Sequence, residues 1–113
     1  MKIISWNERG LNNQAKQRLL IRKFQTEKPD IMFIQETKCA TSHMKSISKK
    51  LGKPLDFIEV ASQGWEGGIT TFWDTREISV LASEATHAYI AMEIQITGNS
   101  ETYLFVNVMA LKD

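Results

Sequence analysis

Lys28-Pro29-Asp30-Ile31-Met32-Phe33-Ile34-Gln35-Glu36-Thr37-Lys38 is the stretch on which the fold turns. Four consecutive apolar residues, Ile31 to Ile34, do not suit a strand with one wet face. The run predicts a strand buried on both sides, as in α/β sheets. Pro29 stops what comes before it, and what comes before is helical. Ala15, Leu19, Leu20 and Phe24 recur at helical spacing from 13 to about 28, with Asn12 or Asn13 available as the cap. Ahead of that helix, residues 2–7 read as a short strand with Ile4 and Trp6 on one face and Ser5 and Asn7 on the other, broken by Gly10. Strand, helix and strand connect with a right-handed crossover, which sets the first strand beside the second.

Downstream of Lys38, Thr41 or Ser42 caps a second, shorter helix. Met44, Ile47 and Leu51 form its apolar stripe, and Gly52 and Pro54 close it. From there the pattern becomes one of strands, at 56–60, 69–73, 78–82, 89–97 and 102–108, parted by Gly-rich or polar turns and read as a β-meander. In the fourth of these, Ile90, Met92, Ile94 and Ile96 face one way, and Gly98-Asn99-Ser100 returns the chain. The fold class is therefore α/β: strand, helix, strand, helix, then a β-meander.

With 113 residues, 42% hydrophobic and 24% charged, the chain has the composition of one globular domain or part of one. No apolar run approaches the roughly 20 residues that span a bilayer, and the opening turns polar too soon for a signal peptide. The expectation is a soluble intracellular protein, nuclear or cytoplasmic, with no membrane partner. Cys39 stands alone and reads as an incidental thiol. The net charge of +1 conceals a split: residues 1–53 hold twelve Lys or Arg against four Asp or Glu, and residues 54–113 hold two against nine. Lys16, Arg18, Arg22, Lys23, Lys45, Lys49, Lys50 and Lys53 read first as the solvated faces of the two helices, with a phosphate-binding patch as the alternative.

Chemistry concentrates at the ends of the first two strands. Glu36 stands at the carboxyl end of the buried strand, where ligand-binding groups of α/β folds gather, and a hard cation such as Mg²⁺ prefers carboxylate oxygen. The plainer reading is that a Glu there merely marks where the chain meets water. Asn7 and Arg9 share a face at the end of the neighbouring strand. An amide can hold a phosphate or a carboxylate in register, and a guanidinium offers phosphate a forked donor. Their plainer roles are a turn residue before Gly10 and a surface ion pair. His43 and His87 lack a carboxylate partner in the sequence and read as surface residues. Glu8 falls on the face of Ile4 and Trp6, where an ionised carboxylate is costly unless the strand end is wet.

Ile4-Ser5-Trp6-Asn7-Glu8-Arg9-Gly10-Leu11, the stretch from Lys28 to Lys38, and Gly64-Trp65-Glu66-Gly67-Gly68-Ile69 resemble three ordered blocks of the endonuclease/exonuclease/phosphatase family. The first block with its Arg and Leu, and the Gly-Trp-x-Gly-Gly block followed by Trp73, most resemble the endonuclease domain of plant non-LTR retrotransposons. The resemblance runs from Met1 to about Ala110. It implies the N-terminal half of a four-layer α/β sandwich and Mg²⁺-dependent hydrolysis of phosphodiester bonds in nucleic acid, with Mn²⁺ as a substitute metal and DNA favoured over RNA. It also implies Glu36 and Asn7 as the catalytic and metal-holding pair, Arg9, Lys38 and Asn107 as substrate contacts, and Gly67 and Gly68 as backbone devices.

The family's later Gly-Asp-Phe-Asn and Ser-Asp-His blocks do not occur, and Met109 stands where the family reads Tyr. A thioether cannot donate the hydrogen bond a phenol gives a phosphate. The expectation is a partial domain over 1–113 that binds metal weakly and does not turn over alone. A non-catalytic nucleic-acid or protein binding module on the same fold is the alternative, and a remainder encoded downstream is the third reading. Because the resemblance assigns the second sheet to the missing half, one apolar sheet face is expected to lie open and to promote self-association.

Overall fold

The computed structural model describes residues 1–11, 13–38, 41–62 and 67–109, with only the backbone of Thr41, Ser42 and His43. In chain order its elements are β1 (Ile3–Asn7), α1 (Gln14–Glu27), β2 (Ile31–Gln35), α2 (Thr41–Lys49), β3 (Leu55–Val60), β4 (Ile69–Asp74), β5 (Ile78–Ala85), β6 (Tyr89–Ile96) and β7 (Thr102–Val108).

The run that decided the sequence reading is the centre of the structure. β2 pairs in parallel with β1, Ile3 opposite Ile31 and Asn7 opposite Gln35, and antiparallel with β4 on its other side. Its side chains divide between two cores, as the doubly apolar run requires. Met32 and Ile34 join Leu11, Leu20, Phe24, Met44, Ile47, Leu51 and Phe72 beneath the helices, whereas Ile31 and Phe33 face Trp73, Ile78, Ile90, Met92 and Ile94. The continuous apolar run thus records two different neighbours rather than one deep core.

Helix α1 begins where its cap dictates: the Asn13 side chain accepts from the Ala15 N–H at 2.8 Å. It ends on Lys28, whose φ of 49° is left-handed and whose N–H returns to the Phe24 carbonyl. Pro29 then forbids further helix. Helix α2 starts at Thr41, so a capping residue ahead of it lies outside the described residues. The stripe of Met44, Ile47 and Leu51 is buried as its spacing predicts.

The five later strands are not one meander. β3 and β4 form a hairpin that completes a first sheet of order β1-β2-β4-β3, and only β5-β6-β7 form a meander, which is a second sheet. The chain changes sheet at Asp74-Thr75-Arg76-Glu77, a tight turn closed by the Glu77 N–H on the Asp74 carbonyl. This overturns the expectation that the second sheet must come from elsewhere. β6 and β7 lie over β2 and β4, burying Ile90, Met92 and Ile94 and setting Phe105 edge-on to Phe33 at 6.4 Å. The inner face is covered except along β1, where Ile3, Ser5 and Asn7 stay exposed. Among the described residues the layers are helices, first sheet and second sheet, and on the outer side of the second sheet Leu81, Leu104, Val106 and Val108 are 51%, 69%, 42% and 58% exposed. No described helix is long and apolar enough to cross a membrane.

Candidate functional site

Beyond their last paired residues, β1 and β2 stay laced together. The Glu8 N–H donates to the Gln35 carbonyl, Gly10 N–H to Glu36, and Leu11 N–H to Thr37, at 3.0, 2.7 and 2.6 Å. On the far side, Thr37 and Lys38 N–H donate to the carbonyls of Gly68 and Gly67, each at 3.0 Å. Three segments meet here, and the meeting explains Gly68. At φ +88° a Cβ would overlap Thr37 Oγ1, so only glycine allows β4 to begin this close. The Gly64-Trp65-Glu66 part of that block lies outside the described residues.

Asn7, Arg9, Glu36 and Lys38 line one open depression of about 300 Å³ at this point. Among the described residues four non-glycine residues have positive φ, and three of them are Arg9, Glu36 and Lys38, at 57°, 54° and 52°. The fourth, Lys28, is the cap of α1. Straight alternation would send Glu36 to the helix side with Met32 and Ile34, but the left-handed turn breaks the strand and re-aims the carboxylate. Such backbone costs of order 1–3 kcal/mol per residue and persists where the surroundings over-determine it. Here the surroundings are the hydrogen bonds just given.

Asn107 is elsewhere. It is 1% exposed, its Oδ1 accepts from Gln35 Nε2 at 2.7 Å, and its Nδ2 donates to the Thr70 carbonyl at 2.9 Å and to Thr71 Oγ1 at 3.1 Å. The amide is held by these three bonds and does not line the depression. Instead it ties β7 to β2 and β4, and Gln35 passes the connection to Ser5 Oγ on β1 at 3.0 Å. The physical reason for the difference is burial: β7 points Asn107 into the sandwich beside Phe105 and Met109. Gln35, Thr37 and Asn107 thus position the strand ends without lining the depression. Gln35 closing an otherwise apolar strand was the one signal that could have exposed this network.

Met109 packs among the apolar residues between the sheets, its Cε 3.6 Å from where a Cβ on Gly67 would sit. His87 is exposed between β5 and β6 and does not line the depression; the readings of Cys39 and the His43 side chain lie outside the described residues. Glu8 turns inward. It is 7% exposed, its Oε2 has no hydrogen-bond partner, and burial raises its pKa above the ordinary value of 4.5 against the opposing charge of Lys16. The carboxylate is buried there, so the anticipated cost is incurred.

The donor set bears on which ion fits. Glu36 offers a carboxylate and Asn7 an amide oxygen, and no group of three or more His, Cys, Asp or Glu able to hold a metal occurs among the described residues. That set suits Mg²⁺, which keeps several waters and needs only one or two carboxylates. Arg9 and Lys38 on the same rim favour an anion beside the cation.

No protein-family model matches this sequence, and no curated protein does. Solved structures match well. The human Nocturnin catalytic domain with bound sulfate superposes with a TM-score of 0.75 at 12% identity, over 94% of this chain and 48% of that one. D. rerio TDP2 complexed with a single-strand DNA product gives 0.71 at 20% identity, over 100% and 48%. The mannosyl-6-phosphatase of Bacteroides thetaiotaomicron gives 0.71 at 15% identity, over 94% and 50%. The chain thus spans about half the length of the structures it matches, and its fold is that of about half of an endonuclease/exonuclease/phosphatase protein.

Proposed function

We propose that this chain is the metal- and phosphate-holding half of a Mg²⁺-dependent phosphodiesterase of endonuclease type, of the plant retrotransposon subtype that its sequence blocks resemble. The observation that carries the reading is the convergence of Asn7, Arg9, Glu36 and Lys38 on one depression, three of them on left-handed backbone. Glu36 and Asn7 would hold the metal. Arg9 clamps non-bridging phosphate oxygens through its fork, and Lys38 adds a point charge on the same rim. The chemistry gained from Mg²⁺ at these residues would be Lewis-acid polarisation of a phosphate.

Turnover needs more than this. In-line attack requires a group that activates water, and neither guanidinium, ammonium nor amide can take a proton at neutral pH. Glu36 serves the metal. In this reading the described residues of the depression bind and do not cleave. DNA is the preferred polymer in this reading, which is supported by the DNA product in the TDP2 structure and by the AP endonuclease of Leishmania major, a further match at a TM-score of 0.67 and 18% identity. Supercoiled plasmid incubated with Mg²⁺ should stay intact. Metal-dependent nicking that Glu36→Gln abolishes would refute the claim of inactivity.

A second reading, a non-catalytic nucleic-acid module, draws on the exposed Arg18, Arg22, Lys23, Lys45, Lys49 and Lys50 of the helical layer. It requires a salt-dependent DNA affinity that survives Glu36→Gln and falls on reversal of those charges.

A further inference from the structure

The loop that leads from β1 to α1 is held on two sides, and only one of them belongs to the strand ends. Its N–H groups at Glu8, Gly10 and Leu11 face the carbonyls of residues 35–37. Two of its carbonyls face the helix: Lys16 Nζ donates to the Arg9 carbonyl at 3.0 Å, and Gln17 Nε2 donates to the Leu11 carbonyl at 2.5 Å. Both donors stand in the first turn of α1, where side chains lean back toward the helix N-terminus and so over the incoming chain. Helical spacing alone reads Lys16 as part of a solvated basic face. In the structure it is half-buried and turned to the loop, whereas Arg18, Arg22 and Lys23 stay exposed.

The peptide unit joining Arg9 to Gly10 is bound at both ends. Its N–H, on Gly10, donates to the Glu36 carbonyl at 2.7 Å, and its C=O, on Arg9, accepts from Lys16. A trans peptide points these two groups in opposite directions, so the plane is held between the Glu36 backbone and α1 and cannot rotate freely. That plane sets ψ of Arg9, whose φ of 57° is the left-handed conformation a non-glycine residue adopts at a cost. The helix is a firm support for the two donors: Asn13 caps it through the Ala15 N–H, the Gln17 N–H returns to the Asn13 carbonyl, and Leu20 and Phe24 anchor it in the core.

We infer that Lys16 and Gln17 are positioning residues, through which the first turn of α1 sets the direction in which Arg9 presents its guanidinium to a phosphodiester in the depression. The inference rests on the reading that Arg9 meets phosphate there, and adds that the helix as well as the strand ends controls the contact. Neither residue lines the depression. Both act on the backbone of the loop, as supporting residues do when they lock a binding group from behind.

An NMR titration of the 113-residue chain with a thymidine dinucleotide, which carries one phosphodiester, at constant Mg²⁺ tests the inference. Arg9→Gln probes the underlying reading and should weaken binding at least about tenfold. Lys16→Met also removes the charge that opposes the burial of Glu8, so the neutral and nearly isosteric Gln17→Met carries the test. With Arg9 present, Gln17→Met should weaken binding on the order of three- to tenfold. In the Arg9→Gln chain it should change nothing further, the non-additivity that action through Arg9 requires. Its Mn²⁺ affinity, which depends on Glu36 and Asn7, should hold, whereas a general loss of structure would lower it. Unchanged dinucleotide affinity in Gln17→Met, an equal loss in both backgrounds, or a parallel loss of Mn²⁺ affinity would overturn the inference and leave the role of Arg9 standing. Binding that is indifferent to Arg9→Gln would overturn that role and the inference with it.

Discussion

Glu8 and Glu36 are both carboxylates beside the same strand end, and their surroundings give them opposite uses. Glu36 reaches a wet depression because its backbone turns left-handed, whereas Glu8 keeps the alternation of β1 and is buried with Ile4 and Trp6. Burial raises the Glu8 pKa, so the folded chain binds that proton more tightly than the unfolded chain does. Stability is then greatest below the ordinary carboxylate pKa and falls as pH rises through the raised one. Glu8→Gln should therefore stabilise the protein at neutral pH, by on the order of 1 kcal/mol, and flatten that dependence, as urea denaturation at acidic and neutral pH will show. Alternation alone placed Glu8 correctly in the sequence. It could not place Glu36, because a left-handed residue at a strand end leaves no periodic trace. The surroundings of Asn107 were hidden for a related reason: the sequence shows an amide on a strand and not the Gln35, Thr70 and Thr71 groups that hold it.

Among the elements, the turn from β4 to β5 decides how two sheets arise from one run of strands. Asp74 is 1% exposed and accepts from Arg76 through its backbone N–H, Nε and Nη2, with Lys53 Nζ at 3.6 Å. The Arg76 hydrogen bonds, opposed by burial, hold its pKa below the ordinary 3.8. The stability from this carboxylate is present above the unfolded pKa and lost as pH falls through the depressed folded one. Asp74→Ala should cost about 1–3 kcal/mol near neutrality, discounted because Arg76 is largely exposed. The difference from wild type should shrink below the ordinary carboxylate range, which thermal unfolding across that range will measure. Helix α1, the buried strand and the alternation of β6 were legible because period and burial coincide in them. The division of the later strands between sheets was not, because a three-residue turn between strands looks the same whether the chain returns to its own sheet or crosses to another.

For the whole molecule, the layered order of helices, first sheet and second sheet brings two chemistries to separate places. The strand ends of β1 and β2 present the polar depression, while β7 and the outer face of the second sheet present exposed apolar side chains. The central claim concerns the first: that Glu36 and Asn7 hold a hard cation beside the phosphate-binding Arg9 and Lys38. A titration with Mn²⁺ followed by water-proton relaxation reads that site without requiring turnover. Saturable, weak binding that competes with Mg²⁺ and weakens at least about tenfold in Glu36→Gln is the predicted result. Binding unchanged in Glu36→Gln, or no saturable binding at all, would contradict the account.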